Sequence, residues 1–317
     1  MHFFLFLKCK LIIDMSETVL IAGGTGLIGQ GLCEALFERG YSVKLLGRTK
    51  KDLPNLKTYV WDPSKSNIDL DAFEGTDYVI NLAGANVGEG RWTERRKKEL
   101  LESRIMSTQL LISSILTNHF PIKKFIQASA IGYYGFSDVD VEFKETDQPG
   151  NDFLAELTNQ WEAATKALDE TNIKLILRIG VVLSDKGGAL PTMSKPIKMF
   201  AGTSLGSGKQ IVPWIHLEDL VEIFLKGISD PAFKGIYNAV APNPVTNKQL
   251  TQLIGKVLNR PIWPIPAPSF FLKLILGEQA QIVLKGNKIS NQKLLGTGFK
   301  FQFSTAENAL YQLNKKE

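Results

Sequence analysis

The sequence predicts an α/β chain, a doubly wound parallel sheet with a smaller C-terminal lobe, and three observations carry that prediction. Short apolar strands alternate with helix-length segments as far as about residue 185. The first strand, Val19 to Ala22, runs into a glycine-rich turn and then a helix. Beyond that point the alternation gives way to glycine-rich and proline-rich stretches.

The opening stretch, VLIAGGTGLIG at 19–29, organises the rest. Gly23, Gly24 and Gly26 break the strand, and from Leu27 apolar residues recur at helical spacing through Ile28, Leu32, Ala35 and Leu36. Glycines serve a tight turn, close approach of a pyrophosphate to the backbone, and close packing of helix on strand. Two registers fit, Gly23-x-x-Gly26-x-x-Gly29 and Gly24-x-Gly26-x-x-Gly29. The helix N-terminus offers unpaired N–H groups and partial positive charge to phosphates. This is the context of a Rossmann-type dinucleotide-binding turn.

The second strand, Ser42 to Leu46, ends at Gly47-Arg48-Thr49-Lys50-Lys51, where such a unit selects its cofactor. An acidic residue there would bond the ribose 2′-hydroxyl, whereas an arginine accommodates a 2′-phosphate. Arg48 lies 19 residues after Gly29 and no acid occupies the strand end, which favours NADP over NAD. The third strand, Thr58 to Asp62, ends in an acid placed to meet an adenine amino group. The fourth, Asp77 to Ala83, closes at Gly84, where the backbone passes near the cofactor.

A glycine-containing loop then leads to a charged helix start that Thr93 could cap. Arg95 to Lys98 read as its wet face, and Leu100, Leu101, Ile105, Leu110, Leu111, Ile115 and Leu116 as the stripe against the sheet. Glu99 and Arg104 point away from that stripe, toward a ribose or the substrate cleft. The fifth strand, Lys124 to Ala128, enters SAIGYYG at 129–135. Phe153 to Leu168 reads as a helix and Lys174 to Ile179 as the sixth strand, followed by a glycine-rich loop. Then come a glycine-rich loop at 198–209, a strand at 212–216, a helix at 217–228, an extended segment at 261–268, and apolar helices at 270–276 and 280–284. The expected organisation is a nucleotide-binding Rossmann domain over 15–185, with return segments at about 210–240, and a substrate lobe over 186–317.

Composition sets bounds. A chain of 317 residues with 44% hydrophobic and 22% charged side chains is ordinary for a soluble globular protein. The net charge of +5 is spread out without a basic tail, which argues against nucleic acid. Cys9 and Cys33 are too few for a disulfide framework or zinc cluster and suit a reducing compartment. Met1 to Leu7 is apolar, but it lacks the charge pattern of a signal peptide and is too short to span a bilayer. Met15 reads as the true start and residues 1–14 as a poorly ordered upstream extension. A cytoplasmic protein with a small-molecule substrate and no membrane partner is expected.

Taken together, GGTGLIG, Arg48, NLAG at 81–84, RWTERRKKELLESR at 91–104, SAIGYYG at 129–135, LRIGVVL at 177–183 and GSGKQIVPWIHLEDL at 206–220 resemble the extended short-chain dehydrogenase/reductase superfamily. More narrowly, with GTGFKF near the end, the chain resembles its atypical epimerase-family branch, which carries a small C-terminal domain of unknown function. The resemblance implies NADP contacts at Gly23, Thr25, Gly26, Leu27 and Ile28 around the phosphates. It implies Gly47 and Arg48 at the 2′-phosphate, Asp62 at the adenine, Leu82, Ala83 and Gly84 along the nucleotide, and Glu99, Arg104 and Val182 nearby. The superfamily often forms homodimers through helices, which makes a homodimer a candidate assembly here, and no distinct interface stripe stands out.

One departure matters more. Working members pair a serine at the end of the fifth strand with Tyr-x-x-x-Lys on the next helix. Aligning Ser129 with that serine places Phe153 and Leu157 at the tyrosine and lysine positions, and neither can exchange a proton. The nearest phenols are Tyr133 and Tyr134. An unperturbed tyrosine titrates near a pH of about 10, so it needs a cationic neighbour to act as a base. Arg91, Arg104 and Lys209 are candidates for that neighbour. Ser129, Tyr133 and Tyr134 are therefore the candidate catalytic residues; the bland alternatives are a strand-end cap and aromatic cleft walls. His216, just before Glu218 and Asp219, reads as structural, and no metal-ligand spacing exists. Two functions remain: an NADP-dependent oxidoreductase or epimerase acting on a small polar substrate such as a sugar nucleotide, or a catalytically inactive NADPH-binding sensor or scaffold.

Overall fold

The computed structural model describes residues 17–50, 56–136, 141–171 and 173–315. Lys51 and the extension expected at 1–14 lie outside them. Apolar runs bounded by turn residues form the sheet strands: β1 (Thr18–Ala22), β2 (Ser42–Gly47), β3 (Lys57–Asp62), β4 (Asn67–Ile68), β5 (Tyr78–Asn81), β6 (Lys124–Ala130), β7 (Lys174–Ile179) and β8 (Gly235–Ala239). Their order is β8-β7-β6-β5-β1-β2-β3-β4. Every neighbouring pair is parallel except β3 with the short return strand β4. The chain reverses its direction across the sheet beside β1, and ligands of such sheets bind outside the strands' carboxyl ends at that reversal.

Because strand side chains alternate, β1 feeds two cores. Val19 and Ile21 face Leu32 and Leu36 of α1 (Leu27–Glu38) and Leu220 and Phe224 of a later helix, while Leu20 and Ala22 face Leu111, Ile112 and Ile115 of α2 (Glu94–Thr117). Thr93 caps α2 by accepting from the Arg96 N–H, and Asp152 caps α3 (Phe153–Ala163) by accepting from Leu154 and Ala155. The later helix, α4 (Leu217–Ser229), starts at His216, whose Nδ1 accepts from the Glu218 N–H. Its Nε2 then donates to Gln312, so the buried imidazole is a structural link.

Several elements differ from the expected ones. The helix expected over 153–168 ends at Ala163 and continues as 3₁₀ turns over Lys166–Thr171. The glycine-rich loop after β7 contains a strand, Val181–Leu183, paired in parallel with Trp214–His216. Helices Ala189–Lys198, Asn247–Val257 and Ala306–Asn314 and the edge strand β8 add to the expected elements. The three helices, with Leu183 and Trp214, surround a separate apolar cluster. A cavity of about 380 Å³ opens among them, but no residue of the glycine turn lines it.

Asp219 ties this C-terminal cluster to the sheet. Its buried carboxylate accepts from the N–H groups of Gln302 and Phe303 at 2.7 and 3.0 Å, and burial raises its pKa. Asp219→Ala strands both donors and should cost about 2–4 kcal/mol of stability, measured by urea unfolding.

Candidate active site

Backbone proximity shapes the glycine turn. Gly23 has φ +83°, and a Cβ there would sit 2.9 Å from the Leu82 carbonyl carbon, so the turn abuts the exit of β5. A Cβ on Gly29 would fall 2.5 Å from the Gly24 Cα, which allows α1 to start directly against the turn. Gly26 is the N-cap of α1; it provides no side-chain cap, and no acid occupies the first turn. The amide end of the helix is thus left to an external acceptor. Thr25 and Gly26 are exposed, and Leu27 and Ile28 are half-buried beside Val182. The Gly187-Gly188 loop closes onto Leu27, to within 3.0 Å of a Cβ built on Gly188.

The strand ends complete a furrow. Asn81 receives the Ala83 N–H on its side-chain oxygen and donates to Thr108 and Gln127, fixing the path of Leu82, Ala83 and Gly84. Gly47 and Arg48 close β2, with Arg48 and Lys50 exposed. Asp62 ends β3, where its carboxylate accepts from the backbone and hydroxyl of Ser64 and pairs with Lys65; these bonds lower its pKa. Glu99 is exposed and paired with Arg96 at 2.8 Å.

Arg104 is unusual. It is 8% exposed, donates to the Leu100 carbonyl, lies 5.0 Å over Trp161, and leaves Nε unpartnered. Burial, reinforced by nearby Arg96, lowers its pKa to about 10, so it is still charged at neutral pH. Its guanidinium lies against Gly84, 3.0 Å from a Cβ built there. A buried cation with an orphaned donor beside the furrow suits an anionic ligand, and the open amide end of α1 suits phosphate. The residues present therefore fit a phosphorylated dinucleotide.

The catalytic candidates meet a closed network. Ser129 is buried and its hydroxyl donates to Glu162 at 2.6 Å. Arg178 donates from Nε and Nη2 to the two oxygens of Glu162 at 2.9 and 2.8 Å. Its Nη1 donates to the Tyr134 hydroxyl at 3.0 Å, which donates in turn to Asn238 at 2.7 Å. Burial opposes the charge of Arg178, but Glu162 and Tyr134 outweigh it and its pKa is raised. Burial pushes Tyr134 up to about 12, Arg178 notwithstanding. The hydroxyls of Ser129 and Tyr134 are thus committed inside the protein. Tyr133 differs: its ring covers the Arg178 guanidinium at 3.4 Å, it is half-buried, and its hydroxyl has no partner among the described residues.

Arg91, Arg104 and Lys209, the cations considered for activating a tyrosine, are not the ones on these rings. Arg91 instead binds the carbonyls of Leu274 and Ile275. Arg178 and Glu162 escaped the sequence reading, although a lone arginine inside the apolar strand KLILRI was the available signal. Phe153 and Leu157 join Trp92, Leu100 and Ile282 in an apolar cluster, with Phe153 edge-on to Trp92 at 5.0 Å. Among the described residues no group of acids, histidines or cysteines could hold a metal. Arg178→Met leaves the Glu162 carboxylate buried and unpaired, at an expected cost of about 3–5 kcal/mol in urea unfolding. Adding Glu162→Gln should recover part of that loss.

A model of the NAD dependent epimerase/dehydratase family matches residues 19–239, and one of a domain of unknown function matches 267–313. An epimerase family protein homologue from Arabidopsis thaliana, described as chloroplastic, is 38% identical over 94% of this chain and 86% of its own. One from Bacillus subtilis is 36% identical over 93% of this chain and 97% of its own. The crystal structure of human epimerase family protein SDR39U1 with NADPH superimposes with a TM-score of 0.84 at 32% identity, covering 95% of this chain and all of that one. A nucleoside-diphosphate sugar epimerase from Corynebacterium glutamicum gives 0.76 at 29% identity, covering 95% of this chain and 59% of that one. With its parallel sheet and glycine turn, the chain belongs to the NAD-dependent epimerase/dehydratase family.

Proposed function

We propose that this protein binds NADP in the furrow at the carboxyl ends of β1, β2 and β5 and acts as an oxidoreductase or epimerase of the atypical short-chain type. The observation that carries the reading is Arg48, exposed just after β2, the strand paired with β1, whose glycine turn leads to the uncapped α1. The human relative crystallised with NADPH supports it. Gly23, Thr25, Gly26, Leu27 and Ile28 would hold the phosphates, and Gly47 and Arg48 the 2′-phosphate. Leu82, Ala83, Gly84 and Val182 would wall the nucleotide, with Arg104 as a buried counter-charge. Glu99 would act through Arg96, and Asp62 through the turn it caps beneath the adenine.

When bound, the nicotinamide supplies or accepts a hydride. Tyr133 would exchange the proton on the substrate oxygen, with Arg178 stacked on its ring as a fixed positive charge beside developing negative charge. Ser129 and Tyr134 would serve as positioning residues, one orienting Glu162 and the other Arg178. A small polar substrate, a sugar nucleotide as in the name of the Corynebacterium relative, fits this chemistry. A second reading is favoured by Phe153 and Leu157: an NADPH-binding sensor or scaffold without turnover, since the usual proton-exchanging positions lie in an apolar cluster.

Titration of nicotinamide fluorescence tests the first half. Arg48→Ala should weaken NADPH binding about tenfold or more while leaving NADH within about twofold; equal loss of both would refute the assignment. For the second half, Tyr133→Phe should lower turnover by about 10²- to 10⁴-fold on any substrate found in a screen of carbonyl and sugar-nucleotide compounds. Unchanged turnover would remove Tyr133 from the reaction, and tight NADPH binding with no turnover across the screen would favour the sensor.

A further inference from the structure

The helix Ser269–Leu276, SFFLKLIL, has no buried residue. Phe270 and Leu274 are 72% and 70% exposed, and Phe271 and Ile275 are each 49% exposed. Ser269 and Lys273 are its only polar residues. The apolar surface continues along the preceding strand, Trp263–Ala267, which leaves Trp263 and Ile265 exposed. The Trp263 indole donates to the Phe200 carbonyl at 2.8 Å, which brings exposed Met199 and Phe200 to the same surface. Eight large apolar side chains therefore face outward together, far more than scattered surface hydrophobes require.

The face is firmly held. Arg91 clamps the carbonyls of Leu274 and Ile275 at 2.7 Å, Glu278 pairs with Lys97 at 2.7 Å, and Gln279 donates to the Val87 carbonyl. Charge then selects the occupant. The segments that carry the face, 199–203 and 260–277, contain Arg260 and Lys273 and no aspartate or glutamate. Arg260 stacks over Phe200 at 4.7 Å, and Lys273 stands within the apolar helix. A second copy docking about a twofold axis would bring like charges together at the rim. Anionic lipid head groups carry the opposite charge, and tryptophan, phenylalanine and leucine flanked by basic residues suit the bilayer interface. No helix among the described residues is long and apolar enough to cross a membrane, so contact would be at the surface.

We propose that this face docks the protein peripherally on an anionic lipid bilayer, with Phe270, Leu274, Trp263 and Ile265 entering the interface and Lys273 and Arg260 meeting head-group phosphates. The test is co-sedimentation of the full chain with vesicles of phosphatidylcholine alone or mixed with phosphatidylglycerol. Binding should be at least about tenfold stronger to the anionic vesicles and fall as salt rises. Phe270→Ser with Leu274→Ser should lose at least about tenfold in vesicle binding while keeping NADPH affinity. Should that variant fail to fold, Arg260→Glu with Lys273→Glu should lose anionic-vesicle binding to a similar extent. Absence of binding to either vesicle overturns the proposal, as does binding that the folded variants leave unchanged. A light-scattering dimer dissolved by the substitutions, without vesicle binding, would assign the face to a second copy instead.

Discussion

The buried pair between Glu162 and Arg178 is the constraint on which the candidate site depends. It joins α3 to β7 and extends to Ser129 on β6, Tyr134 in the following turn and Asn238 on β8. Desolvating two charges is expensive, and the bidentate geometry with further hydrogen bonds on both partners is the arrangement that offsets it. The same bonds sort the neighbouring hydroxyls. They hold the hydroxyls of Ser129 and Tyr134 inside the network and stack Tyr133 on the guanidinium. Neutral partners of similar shape could fill the same volume, so the charge has a consequence beyond packing: it places a fixed cation under one accessible phenol.

The nucleotide half rests on backbone geometry. At Gly23 and Gly29 a single methyl would meet main-chain atoms at under 3 Å, closer than real contacts allow. Those contacts bring the uncapped amide end of α1 to the edge of the sheet, next to the turn that Asn81 braces. Arg104 adds a buried positive charge that has no carboxylate partner among the described residues, a cost that an anionic ligand would relieve. The two halves differ in their relation to the family pattern. The glycine turn follows it, whereas Phe153 and Leu157, which align with the usual proton-exchange positions, pack with Trp92.

The fold was legible where the signal is local. Val19 to Ala22, the glycines after it and the Leu32–Leu36 stripe specify strand, turn and helix within a short window, and the alternation continues through β7. The C-terminal third was less legible. Ala189–Lys198 is a helix despite Pro191 and Pro196, because Leu190, Met193 and Ile197 on one face pack with Ile254 and Leu310 from far along the chain. β8 is a short run, GIYNA, recognisable only through its register with β7. In the site, residue types pointed to Ser129 and the two tyrosines, but their partners come from far along the chain. Glu162 is 33 residues from Ser129, and Asn238 is 104 from Tyr134. Which hydroxyl is buried and which is free is a tertiary property.

The most direct measurement is a crystal structure of the NADPH complex. The account predicts the Tyr133 hydroxyl facing the nicotinamide across a space about one substrate group wide, with Ser129 and Tyr134 still bonded to Glu162 and Asn238. A Tyr133 hydroxyl turned away from the nicotinamide, or Ser129 and Tyr134 released from the network into the cleft, would contradict it.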